Sequence, residues 1–199
     1  MNPRLGLFLA LALALAPRLY ASCPEPEFKN LPYLSGSMNH SCVTLYFDKE
    51  AGRIWGHINR SEARIEIDPE NRAIRGSANR SGVALDYSGQ PGLLYLTGSA
   101  NRAPYQLHID WANGTARGFS NNARLWFDFD PKKGTLEGAG NGSRIQLRLD
   151  RSSGELRGAM NRIVTQLKLS GLELSDLIEH FYLFLDYPSA SVLDSVEGP

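Results

Sequence analysis

Four histidines, His40, His57, His108 and His180, are the side chains best suited to proton transfer or metal ligation near neutral pH. They fall at different positions of the repeat described below and at no metal-ligand spacing, so the expectation is surface or turn residues. Six aspartates recur near every twentieth position: Asp48, Asp68, Asp86, Asp110, Asp130 and Asp150. Carboxylates stacked at such an interval could ladder calcium, yet an aspartate that opens a turn explains the same pattern without a cation. Arg60, Arg80, Arg102 and Arg162 recur in the same way, as an anion-binding rim or as solvated turn residues. No nucleophile–base pair, phosphate loop or zinc spacing accompanies them, so the expectation is a protein that is not an enzyme and has no cofactor or metal.

The two cysteines, Cys23 and Cys42, follow a segment that reads as a signal peptide over 1–21. Arg4 precedes an unbroken apolar run from Leu5 to Ala16, and Ala21 is a small residue at the expected cut. That run is shorter than the roughly 20 residues a spanning helix needs, and no later segment is apolar enough to cross as a helix. Cleavage removes Arg4 and Arg18 and no acid, so 21 basic residues become 19 against 21 acidic, a net charge of −2. Nucleic acid and anionic membrane are therefore poor electrostatic partners. Secreted or periplasmic placement favours a Cys23–Cys42 disulfide, with lipid anchoring through Cys23 as the competing use of that sulfur.

These residues are carried by a tandem repeat. A Gly-x-x-Asn signature occurs at Gly36, Gly56, Gly76, Gly98, Gly118, Gly138 and Gly158, spaced 20, 20, 22, 20, 20 and 20 residues apart. Three alternate apolar positions follow each glycine, as in Val83, Leu85 and Tyr87 or Leu125, Phe127 and Phe129, with polar residues between. That period of two is a half-buried strand, and a second short strand precedes each glycine. Asn-Arg, Asn-Asn and Asn-Gly suit a two-residue hairpin, while Asp-x-x-x-Gly suits a type I turn with a bulge. The expectation is an all-β antiparallel meander of hairpin repeats over 34–169, about 14 short strands curled into a barrel or sandwich. The alternative is a parallel β-solenoid with asparagines stacked in a ladder. The pattern resembles exported bacterial β-helix repeats and hairpin arrays such as the tyrosine–aspartate and MORN repeats, without a signature that transfers a function.

A leader over 22–33 precedes the repeats, and a tail over 188–199 ends the chain. Between repeats and tail, 170–187 reads as a helix capped by Ser175, bearing Leu177, Ile178, Phe181, Tyr182, Phe184 and Leu185. It either plugs the barrel or covers an open edge. The strands are too short and their outer face too polar for an outer-membrane barrel.

Hairpin register sets Trp55 against Arg64 and Trp126 against Arg117 on the polar side, as cation–π pairs, with Tyr46, His57 and Phe119 beside them. These seven are the candidate binding residues. Sheet-surface aromatics of this kind stack on sugars or peptides, or merely stabilise neighbouring strands. The expected function is a non-catalytic binding or structural module at the cell envelope, with a glycan or an envelope protein as partner. The alternative is a periplasmic or secreted carrier of an apolar ligand inside the barrel.

Overall fold

A computed structural model of the chain describes residues 23–38, 40–140, 142–160 and 162–185. The signal segment and the tail lie outside these residues, as do Asn39, Asn141 and Asn161 of the repeat signature.

Fourteen antiparallel strands form one closed barrel in chain order. They are β1 (Tyr33–Met38), β2 (Ser41–Asp48), β3 (Arg53–Ile58), β4 (Ser61–Asp68), β5 (Ala73–Ala78), β6 (Ser81–Gln90) and β7 (Leu93–Ala100). There follow β8 (Ala103–Asp110), β9 (Thr115–Ser120), β10 (Ala123–Asp130), β11 (Thr135–Gly140), β12 (Ser143–Asp150), β13 (Glu155–Met160) and β14 (Ile163–Ser170). β1 pairs with β14, so no edge is left for another chain to extend. The parallel solenoid is excluded, because every neighbouring pair runs antiparallel.

The hairpin register is the one the repeat implies: Ala78 faces Ser81, Gly76 faces Val83 and Ile74 faces Leu85. The Asn-x turns have positive φ at both central residues, 52° and 59° at Asn79 and Arg80, as a type I′ hairpin requires. At the opposite rim, Asp130 accepts hydrogen bonds from the backbone N–H groups of Lys132 and Lys133, and Asp150 from those of Ser152 and Ser153. Asp86 departs from that series. Two extra residues lengthen β6 and β7, a Pro91-Gly92 turn closes their hairpin, and Asp86 pairs outside with Arg75 at 2.5 Å.

The signature glycines have a steric origin, seen best at Gly76. Its φ is 144°, and a Cβ built there would lie 2.0 Å from the carbonyl oxygen of Arg64 on the neighbouring strand. The backbones approach too closely at this point for any side chain. Such contacts recur at all seven glycines, so every second strand lacks a side chain at one inward layer.

The barrel interior holds a plug. After β14 the chain forms a short helix α1 (Leu174–Glu179) and a 3₁₀ turn (Phe181–Phe184), which continue the hydrophobic core of the barrel. Capping differs from the sequence expectation. Glu173 is the N-cap, its backbone N–H donating to the Asp176 carboxylate at 2.8 Å, and the helix breaks at His180. The plug runs from the aspartate rim to the asparagine rim. Lys49 meets Asp176 at 2.7 Å at the first, and the carbonyls of Tyr182 and Leu183 meet asparagines at the second.

Candidate functional site

Two regions present chemistry: the outer aromatic rows and the aspartate-rim mouth. On the outer face, residues of like parity on neighbouring strands form cross-strand rows, and two rows are rich in aromatics.

The first row runs Tyr46–Trp55–Arg64 across β2, β3 and β4. The leader covers its Tyr46 end. Cys23 is bonded to Cys42 on β2, and the segment that follows lies along that strand. Phe28 meets the Tyr46 ring edge-on at 5.2 Å, and the Glu27 backbone N–H donates to the Tyr46 hydroxyl at 2.7 Å. Tyr46 is consequently 6% exposed, not an open stacking surface. Trp55 leans on Tyr46 at 5.7 Å, and Arg64 turns to Glu62 at 2.6 Å. The expected Trp55–Arg64 cation–π pair therefore does not form: a neighbouring carboxylate outcompetes the ring for the guanidinium. His57 stays exposed, apart from any aromatic stack. The Cys23 sulfur is thus committed to the disulfide, the first of the two uses the sequence offers.

The second row is open. It runs Tyr95–His108–Arg117–Trp126 across β7, β8, β9 and β10, by successive register pairs. Tyr95 stacks on His108 at 4.2 Å with planes 7° apart. The Arg117 guanidinium lies 5.8 Å from the Trp126 ring centroid. Its other contacts fix it there, an ion pair with Asp128 and hydrogen bonds to the carbonyls of Ala116 and Phe127. Phe119, diagonal to Trp126 and facing Gln106, is also exposed. Of the seven sequence candidates the structure thus gathers Arg117, Phe119 and Trp126 into one patch, and sets Tyr46, Trp55, His57 and Arg64 elsewhere. Tyr95 and His108 belong to the patch. Alternation between inward Leu94 and Leu96 already pointed Tyr95 outward, which was the available signal.

At the aspartate rim, α1 leaves a pocket of about 440 Å³ between itself and the β2–β7 wall. Ile54, Ile67, Ile74, Tyr87, Leu94 and Leu96 form its apolar side, and Asp176, Glu179 and His180 face it from the plug. His180, expected at the surface, is instead buried against Phe47 and Tyr182. Burial lowers its pKa to about 4, so the ring is neutral. Burial, and then the charge of Asp176, raise the pKa of Glu179.

The turn aspartates are committed to their own loops. The Asn71 side chain holds Asp68 below the usual carboxylate range, the Asn113 side chain does so for Asp110, the Lys133 backbone N–H for Asp130 and the Ser152 hydroxyl for Asp150. Among the described residues no three His, Cys, Asp or Glu side chains cluster as a metal site, and no helix is long and apolar enough to cross a membrane. The chain matches no protein-family model, no curated protein and no solved structure.

Proposed function

We propose that this chain is an exported, non-catalytic binding module of the cell envelope, and that it recognises glycans with the outer face of β7 to β10. The observation that supports this most is the uncovered row from Tyr95 to Trp126. Its counterpart on β2 to β4 has its tyrosine covered by the protein's own leader, whereas here Tyr95 in the row and Phe119 beside it stay exposed, next to Gln106 and Arg117. Flat aromatic faces next to fixed polar groups suit the apolar face and the hydroxyls of a sugar ring.

A carrier with its cargo inside the barrel fits less well, because Phe181, Tyr182 and Phe184 occupy that volume. The test is a glycan array probed with the full chain and with Trp126→Ala and Trp55→Ala variants. Trp126→Ala should lose about tenfold or more in affinity, near the value of one good stacking contact. Trp55→Ala should retain binding, since Trp55 lies on β3, away from β7 to β10, and leans on Tyr46. Equal binding by wild type and Trp126→Ala would refute the assignment.

A further inference from the structure

The rim pocket is a second site, on a different surface from the glycan platform and independent of it. We propose that it binds a small amphiphile with a cationic head, the hydrocarbon against the β3–β7 wall and the head at Glu179.

Three observations carry this. The volume, about 440 Å³, lies within the usual range for small-molecule sites, and its walls are apolar with a few polar groups at one side. Ile67, Tyr87 and Leu94 pack on the core yet remain partly exposed there, so the wall is not closed by the plug. Charge then selects the head. Lys49 and Arg53 line the pocket against Asp48, Glu50, Asp176 and Glu179, so carboxylates outnumber cations. Lys49 makes its ion pair with Asp176 and reaches Glu179 only through space, so Glu179 has no direct hydrogen-bond or ion-pair contact among the described residues. A half-buried carboxylate without a partner is an expensive group to leave alone, and an ammonium head supplies the missing charge. An anionic amphiphile would meet the same carboxylates as repulsion.

The probe is n-decylammonium, with n-decanoate as its anionic counterpart, each titrated calorimetrically below its micellar concentration into the disulfide-bonded full chain. The buffer should be at about pH 8, well above the ordinary carboxylate range, since burial holds the Glu179 carboxyl high, and below that of the amine. Decylammonium should saturate at one site per chain and bind about tenfold or more tighter than decanoate. Leu94→Trp, which fills the pocket from its wall, should remove the saturable heat. Glu179→Gln should erase the preference for the cation. Equal affinity for the two amphiphiles, an unchanged titration in Leu94→Trp, or no saturable binding by the folded wild type would each overturn the proposal. Leu94→Trp decides the location even where Glu179→Gln fails to fold.

Discussion

Gly76 illustrates how one residue type can be demanded by its neighbours' backbone and not by its own flexibility alone. An alanine methyl there would overlap the Arg64 carbonyl, and the φ of 144° is in addition strained for an L-residue. Gly76→Ala should therefore cost roughly 2–3 kcal/mol in chemical denaturation. Gly82 is the control. A Cβ there meets nothing within 4 Å, so Gly82→Ala should leave the midpoint nearly unchanged. A small effect at both positions would mean that the strands part easily at the signature layer. Residue-scale features of this kind were legible in proportion to their locality. Asn79-Arg80 and Asp130 to Gly134 announce their turns because the turn chemistry lies within four residues. The fate of Tyr46 was not legible, because Phe28 reaches it from a leader with no periodic pattern. Nor was the loss of the Trp55–Arg64 pair, which turns on Glu62 two residues along the same strand.

At the scale of elements, the plug is held by more than apolar packing. A 3₁₀ turn leaves carbonyls without internal partners, and a buried carbonyl left unpaired is costly. The turn asparagines supply the donors. Asn79 donates to the Leu183 carbonyl at 2.9 Å and Asn101 to the Tyr182 carbonyl at 2.8 Å. The asparagines also link to one another, Asn59 to Asn79 at 2.8 Å and Asn79 to Asn101 at 2.9 Å. An asparagine ladder was the mark of the rival solenoid in the sequence. It exists in the barrel as well, because the hairpin ends stand side by side around one rim. Asn101→Ala removes a ladder acceptor and strands the buried Tyr182 carbonyl, so about 2 kcal/mol of stability should be lost. A neutral result would show that water satisfies that carbonyl. The plug also brings pH dependence. Lowered from 6.5 to about 4 in the folded state, His180 gives stability that is complete above the unfolded value and is lost as pH falls from about 6.5 towards about 4. The loss amounts to about 3 kcal/mol over that window. The turn aspartates, held low, act in the same direction at lower pH, whereas Glu179, held high, opposes them. Thermal melts across this range should show the fall in wild type and a flatter profile in His180→Phe, and parallel profiles would exclude His180 as the cause.

For the whole molecule the decisive event is closure. The chain starts on a glycine strand and ends on a long strand, so β14 meets β1 in the register of any two successive repeats. Gly36 faces Leu167 as Gly56 faces Leu45. Barrel and sandwich were indistinguishable in the sequence because apolar alternation says which face is buried and not whether the first strand pairs with the last. Fourteen strands is also more than the eight or so whose own side chains fill a barrel. The interior must therefore be filled from elsewhere, and the five residues from Phe181 to Leu185 are each at most 3% exposed. At about 2 kcal/mol for each buried side chain they contribute roughly 10 kcal/mol, against a total stability of about 5–15 kcal/mol for a typical domain. A chain ending at Ser170 keeps all fourteen strands and lacks the plug. It should lose its cooperative melting transition and bind a dye such as anilinonaphthalene sulfonate, as expanded states with exposed apolar surface do. A truncated chain that melts as sharply as the full one, at a similar temperature, would mean that the sheet flattens onto itself and that the plug is packing added to a barrel already complete.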